Sequence, residues 1–266
     1  MDGAIEQAVR RAIVTMRENL GEELTVDDMA RAAMFSKFHF TRIFQRATGV
    51  SPGRFLSALR LQRAKQLLVS TSMNVADISL LVGYKSVGTF SSRFSRSVGL
   101  SPTTYRRTAG YAFDIPTANR GRPPRPSSAS VYGEIRHAAP NSTGVVFIGL
   151  FPDRIPEGAP VRCSVLPGRG TFSFEMVPTG SWYVLAQSVG HDAEALVRDD
   201  DRTGQSVSVA TYGPITVRED TMLRLDLELE PVRVVDPPVL LALLDVRKLA
   251  LARTRRQAGF ADPIAA

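Results

Sequence analysis

Four side chains near residue 40 have the spacing of one exposed face of an α-helix. They are Phe38, Thr41, Arg42 and Gln45. At about 100° per residue this face lies opposite Phe40 and Phe44, whose i, i+4 spacing predicts a buried side. Arginine can donate two hydrogen bonds to guanine, glutamine can pair with adenine, and phenylalanine or threonine can contact the thymine methyl group. The chemistry that this face predicts is recognition of base-pair edges in a major groove.

The same arrangement returns later in the chain with different side chains. Phe90 and Phe94 repeat the spacing of the first two rings, and the face opposite them carries Gly88, Ser91 and Ser92. Serine can bond to either base type and glycine offers no side chain, so we expect weaker base recognition here. Five basic residues near the two faces are predicted phosphate contacts, which position a protein on DNA without specifying sequence. They are Lys37, Arg46, Lys85, Arg96 and Arg106. For Lys85 and Arg96, ordinary surface charge is an equally good interpretation.

Both faces belong to a repeat with the layout of a helix-turn-helix. The copies run from Thr25 to Pro52 and from Asn74 to Pro102, and Thr25 and Asn74 are good N-cap residues. Gly83 suits the turn of the second copy, where Met34 in the first is less favourable. A helix predicted from Pro52 to about residue 70 would be about 27 Å long, close to the ~34 Å between major-groove faces one turn apart.

Residues 5–107 resemble the AraC/XylS class of bacterial transcription regulators. The motifs that carry the resemblance are SKFHFTRIFQRATGVSPGRF, LRLQRAKQLL and DISLLVGYKSVGTFSSRFSRSVGLSPTTYRR. The resemblance implies sequence-specific binding to double-stranded promoter DNA, usually with activation through RNA polymerase, and recognition positions at Phe38, Thr41 and Arg42. Relatives that respond to effectors often place the sensing domain first, whereas here the DNA-binding motifs come first.

Composition and charge agree with a DNA-binding protein. Residues 1–130 contain 19 Lys and Arg against 9 Asp and Glu, whereas residues 131–266 contain 14 against 17, so the excess positive charge is confined to the first half. The single cysteine, Cys163, excludes an internal disulfide, and no signal peptide or membrane span is predicted. We expect a cytoplasmic, nucleoid-associated protein. No enzyme motif, cofactor site or metal site is predicted.

Residues 108–130 are predicted to be a linker, because they contain four prolines and show no apolar periodicity. Arg120 and Arg122 lie in an RGRP segment that matches the core of an AT-hook, whose arginines enter narrow A·T minor grooves. A semi-rigid basic spacer is the alternative interpretation.

From residue 131 the apolar period changes from 3.6 to 2. Seven short strands follow, the last of which is MLRLDLELE, and they predict an antiparallel β-sandwich. The run TFSFEMVPTGSWYVLA resembles carboxypeptidase-regulatory or transthyretin-like sandwiches. Four residues could line an effector pocket, although aromatic residues on sandwich strands are more often core. They are Tyr132, Trp182, Tyr183 and His191.

The run VLLALLDVRKLALARTRR after Pro238 is predicted to be a helix. Its first turns are apolar nearly all round, so it must dock on the sandwich or the DNA-binding region, or pair with a second chain.

The predicted fold class is therefore α + β with two domains. The predicted divisions are 1–107 (double helix-turn-helix), 108–130 (linker), 131–236 (sandwich) and 237–266 (helix and tail). The predicted function is a DNA-binding regulator. Two alternatives stay open: an architectural DNA-binding protein, or a regulator whose sandwich is a dimerisation or protein-docking module without a small-molecule effector.

Overall fold

The computed structural model describes residues 3–112, 127–138, 144–190 and 207–244. Residues 3–112 form a helical domain of seven helices. They are α1 (Gly3–Glu18), α2 (Val26–Ala33), α3 (Lys37–Thr48), α4 (Pro52–Ser70), α5 (Val75–Leu81), α6 (Val87–Val98) and α7 (Pro102–Arg107). Helices α2 and α3 form the first helix-turn-helix unit, α5 and α6 form the second unit, and α4 joins them. Among the described helices, none is long and apolar enough to cross a membrane.

The local signals for these helices act as the sequence predicts. Thr25 and Asp28 form a reciprocal capping box at the start of α2, and Asn74 accepts a hydrogen bond from the Asp77 backbone N–H at the start of α5. Gly83 has a positive φ of 82° in the turn of the second unit. Met34 adopts a left-handed conformation at the equivalent place in the first unit, with φ 62° and its side chain 81% exposed. That backbone conformation costs a non-glycine residue energy, so the turn of the first unit is the more strained of the two.

Aromatic rings form the centre of the helical core. Phe44 lies between Phe40 and Phe55, with ring centroids 5.4 Å from each, and all three side chains are fully buried. In the second unit Phe94 is 5.6 Å from both Phe90 and Tyr105. The predicted inward direction of the paired phenylalanines is correct, so the opposite faces of α3 and α6 are directed outwards.

The second half of the chain forms a sheet domain. Its strands are β2 (Ser130–His137), β3 (Gly144–Phe151), β4 (Arg162–Leu166), β5 (Gly170–Phe174), β6 (Gly180–Gly190), β7 (Val207–Val217), β8 (Met222–Arg224) and β9 (Leu227–Pro231). They follow one hydrogen-bonded path in the order β4-β3-β6-β7-β9-β2-β5, with β8 also paired to β2, and β4 and β5 at its ends lie close together. The sheet is therefore nearly closed around one core. The predicted sandwich of purely antiparallel strands needs correction, because β9 joins the two halves and β2 pairs in parallel with β8 and β9.

The strand predicted over MLRLDLELE is divided into β8 and β9. Between them the Leu225 backbone N–H bonds to the Tyr132 carbonyl at 2.9 Å, and the Asp226 carboxylate accepts from the Glu134 backbone N–H at 3.0 Å. The Leu225 carbonyl then passes so close to Gly133 that a Cβ there would lie 1.8 Å from it. The predicted alternation nevertheless holds, since Leu225, Leu227 and Leu229 are buried.

The helix predicted after Pro238 is wrong for residues 239–244. These residues run extended, and β10 (Leu243–Leu244) pairs in parallel with β1 (Tyr111–Ala112). Leu240 is completely buried in the helical core, so it does not lie on a surface open to a second chain. Of the three docking partners left open by the sequence, the DNA-binding region is the one that Leu240 contacts. The rest of the predicted helix, residues 245–256, lies outside the described residues.

Candidate nucleic-acid interface

The predicted face of α3 is open and its polar groups are available. Phe38 is 89% exposed, and Arg42 and Gln45 are also exposed. The hydroxyl of Thr41 donates to the Lys37 carbonyl at 2.9 Å, so the group that Thr41 can offer a base is its methyl. An aromatic ring this exposed gains nothing from the protein's own core, and a DNA groove is a surface that would cover it.

The matching face of α6 has less to offer. Gly88 and Ser92 are exposed and Ser91 is half-buried, while the Ser95 hydroxyl donates back to the Ser91 carbonyl at 2.7 Å. Val87, the first residue of α6, is 39% exposed and was not among the predicted contacts. It aligns with the predicted contact Lys37 in the repeat, so the sequence alone indicated this position. Val87 adds an apolar group suited to a thymine methyl.

Four of the predicted phosphate contacts lie on the surface of the helical domain. Lys37 pairs with Asp27 at 2.8 Å, and Lys85 pairs with Glu23, whose carboxyl pKa this hydrogen bond lowers. Arg46 and Arg96 are exposed. Exposed ion pairs contribute only about 0–1 kcal/mol, so a phosphate can replace the carboxylate at little cost.

Arg106, predicted to contact phosphate, has a different role in the structure. Its Nε donates to the Leu68 carbonyl at 3.0 Å and its Nη2 donates to the Met73 carbonyl. These carbonyls lie at the end of α4 and just beyond it, where a helix leaves acceptors unpaired. Arg106 therefore fastens α7 to α4 through Nε and Nη2, and its contact with phosphate stays a prediction.

Of the four residues predicted to line an effector pocket, the three that the structure describes do not form one pocket. Trp182 and Tyr183 are neighbours on β6, so they point to opposite faces: Trp182 packs on the sheet core, and Tyr183 on a separate cluster with Phe151. Tyr132 is 37% exposed on β2. His191, together with the predicted minor-groove residues Arg120 and Arg122, lies outside the described residues.

A cavity of about 290 Å³ lies elsewhere, on the outer face of β6, β7 and β9. The chain segment from residue 233 to 239 forms its other wall. Apolar side chains on its surface include Leu185 and Val209, and charged ones include Arg154, Glu228 and Glu230.

The two domains are attached by residues 153–158, which we call the docking loop. The carboxylate of Glu157 contacts Arg54, Arg93 and Ser97 of the helical domain, and Ile155 is buried in the helical core. Residues 239–242 lie beside the loop and close the same junction, since the Lys65 ammonium donates to the Val239, Leu240 and Leu241 carbonyls at 3.0–3.2 Å. The contacts of Glu157 and Lys65 were not predicted, whereas docking of the segment after Pro238 on the DNA-binding region was one of the possibilities that the sequence left open.

Comparison with known proteins supports the assignment of the helical domain. Residues 29–108 match a family model described as a helix-turn-helix domain. The HTH-type transcriptional activator AarP of Providencia stuartii is 31% identical over 98 residues, which are 37% of this chain and 73% of AarP. The chain belongs to the AraC family of transcription regulators. It is also similar to the lactose operon transcription activator of Staphylococcus xylosus, at 31% identity over 102 residues, or 38% of this chain and 37% of that protein.

Among solved structures, an AraC-type transcriptional regulator from Chromobacterium violaceum is 31% identical. The likeness covers 39% of this chain and 93% of the other, with a TM-score of 0.38 over the whole molecule. For several curated relatives, this AraC-family chain spans little more than a third of their length. The match to the family model lies in the helical domain.

Proposed function

We propose that this AraC-family chain is a sequence-specific transcription regulator that binds double-stranded DNA with its two helix-turn-helix units in successive segments of the major groove. The observation that carries the proposal is the open face of α3, where Phe38, Arg42 and Gln45 point away from a core closed by Phe40 and Phe44. An exposed phenylalanine beside an arginine and a glutamine matches what base edges require.

The two units are proposed to have different roles in DNA binding. The α3 face supplies most of the base recognition. The α6 face, with Gly88 and Ser92, contributes mainly position, through Arg96 and the backbone. Arg42→Ala should then raise Kd by about 5- to 150-fold on the preferred site and relax preference at one base pair. Arg96→Ala should raise Kd by the same factor on every DNA sequence, and it should reduce the salt dependence of binding.

The test starts from DNA selected by the protein itself out of a random-sequence library. Affinities of the wild type and both variants are then measured on the selected site and on single-base-pair changes of it, at one stated salt concentration. Equal, sequence-independent losses for both variants would contradict the division of labour. A wild type that binds selected and random DNA equally would contradict sequence-specific regulation and favour an architectural role.

Promoter activation through RNA polymerase is part of the same proposal, since two of the matched relatives are named as activators. In a transcription assay with purified RNA polymerase and a promoter that carries the selected site, added protein should increase the transcript. A decrease would indicate repression instead. The transcription assay uses the same buffer as the binding measurements. Analytical ultracentrifugation at the same protein concentration shows whether the active protein is a monomer or a dimer.

A regulatory role for the sheet domain is supported by the cavity beside β6, β7 and β9. Its mixture of apolar walls with the carboxylates of Glu228 and Glu230 suits a small amphipathic effector. In a thermal-shift screen of small metabolites, a ligand of this cavity should raise the unfolding temperature Tm of the wild type. It should not raise the Tm of the Gln187→Trp variant, because the tryptophan ring would fill the cavity. Compounds that stabilise both proteins equally would show that the cavity is not the site.

A further inference from the structure

Glu157 in the docking loop contacts the connecting helix α4 and the second helix-turn-helix unit. Its carboxylate accepts hydrogen bonds from Arg54 Nη2 at 3.0 Å, from Arg93 Nη2 at 3.2 Å and from the Ser97 hydroxyl at 2.8 Å. Arg54 lies in the first turn of α4, directly after the first unit, whereas Arg93 and Ser97 lie in α6 of the second unit. One side chain of the sheet domain therefore links the first turn of α4, the helix that follows the first unit, to α6 of the second unit.

Glu157 itself is well shielded from water, whereas its partners are partly exposed. The side chain of Glu157 is 16% exposed, that of Arg93 30% and that of Arg54 38%, and Asp153 pairs with the second guanidinium nitrogen of Arg54. A carboxylate that serves three donors in such surroundings is held more firmly than an exposed ion pair. Loss of the carboxylate would remove an acidic partner from both Arg54 and Arg93, and Arg54 would keep Asp153.

The backbone of the docking loop reinforces the contact. The Gly158 N–H donates to the Ser97 carbonyl at 2.9 Å. Gly158 has a φ of 71°, and a Cβ there would lie 3.3 Å from the Arg96 carbonyl oxygen, so glycine suits both the conformation and the space. Because Ile155 is also buried in the helical core, the loop is fixed at several points.

The attachment leaves the recognition faces open. Phe38 on α3, and Gly88 and Ser92 on α6, stay exposed while the sheet domain is docked. The described part of the sheet domain leaves these residues uncovered. It braces α6 against the first turn of α4.

We propose that Glu157 is a positioning residue that holds the second unit at a fixed place relative to the first, so that the sheet domain controls how well both units engage one DNA molecule. This inference rests on the proposed DNA-binding function and adds a role for the sheet domain to it. Fixing the second unit in advance raises its effective concentration at the neighbouring groove once the first unit has bound.

The test compares two DNA duplexes with the full chain. One carries the whole site selected by the wild type from a random library, and the other is shortened to the part protected by the first unit. The measured quantity is the Kd for the short duplex divided by the Kd for the whole site. This ratio reports how much affinity is gained when the second unit also binds. Glu157→Ala should reduce this ratio by about tenfold while leaving the Kd for the short duplex unchanged. Glu157→Gln, which keeps an acceptor but loses the charge, should give an intermediate ratio.

Glu175→Ala is the matched control, because Glu175 is an exposed glutamate of the same domain, and it should behave as the wild type. If the ratio is unchanged in Glu157→Ala while the wild type binds its site specifically, the proposed positioning role of Glu157 is wrong. Equal weakening on both duplexes would also overturn it, because it would show only a general loss of structure. A wild type without sequence preference would instead contradict the proposed function itself.

Discussion

Gly133 on β2 is the position where a single added methyl group should do most damage to the sheet domain. A Cβ at Gly133 would lie 1.8 Å from the Leu225 carbonyl oxygen and 2.7 Å from the Leu225 carbonyl carbon. Both are backbone atoms, so no side-chain rotation can relieve the overlap. Ordinary carbon–oxygen contacts begin at about 3.3 Å, so the segment between β8 and β9 would have to move by roughly 1.5 Å.

That movement breaks two hydrogen bonds at the same place. They are the bond from the Leu225 N–H to the Tyr132 carbonyl, at 2.9 Å, and the bond from the Glu134 N–H to the Asp226 carboxylate, at 3.0 Å. The Leu225 backbone N–H left without a partner costs about 1–3 kcal/mol, and loss of the exposed Glu134–Asp226 bond costs about 0.5–1.5 kcal/mol, while replacing glycine returns up to about 1 kcal/mol from the unfolded chain. Gly133→Ala should therefore lower the free energy of unfolding of the sheet domain by about 1–4 kcal/mol.

The chain contains its own reporter and control. Its one tryptophan, Trp182, lies in the sheet domain, so tryptophan fluorescence during urea unfolding follows that domain. Gly170 on β5 is another strand glycine, and a Cβ there meets nothing within 4 Å, so Gly170→Ala should change stability by about 0.5 kcal/mol or less. Equal urea midpoints for the two variants would refute the reasoning from the Leu225 backbone.

Three further predictions concern charged residues. Arg106→Ala should lower the free energy of unfolding by about 2–3 kcal/mol, because it loses bonds to the Leu68 and Met73 carbonyls, whereas the exposed neighbour Arg107→Ala should change it little in the same urea titration. Burial lowers the pKa of Lys65 to about 8 from 10.5, so between these pH values the unfolded chain holds a proton that the folded chain has released. Stability should therefore rise with pH from about 8 to 10.5, and a Lys65→Met variant that shows the same rise would contradict this. If Arg120 and Arg122 enter a minor groove, replacing both with alanine should weaken binding only where A·T pairs flank the site, and indifference to the flanks would favour the spacer.

Most of the helical domain could be predicted from the sequence, because its signals are local. A capping residue such as Thr25 and a left-handed glycine such as Gly83 act within one or two turns of the chain. The spacing of Phe40 and Phe44 then fixes which face of α3 is buried, and so which face is open. The predicted recognition face follows from that periodicity without knowledge of the tertiary structure.

The features that the sequence did not predict depend on contacts between distant residues. Nothing local to Arg106 shows that its guanidinium will meet carbonyls 33 and 38 residues earlier. The apolar run that contains Leu240 has a composition typical of a helix. Its backbone instead forms hydrogen bonds with the Lys65 ammonium and with β1, which replace the hydrogen bonds of a helix. A buried backbone segment takes the hydrogen bonds that its surroundings provide, and propensity is a weak term beside them.

The sequence by itself determined two helix-turn-helix units, the side chains they expose and the positive charge around them, because each depends on short-range spacing and composition. Only the tertiary structure decided how the sheet domain lies on those units. Glu157 reaches Arg54 across 103 residues and Arg93 across 64. Such a junction is selected by complementary charge and shape after both domains have formed, and no periodic pattern in the chain records it.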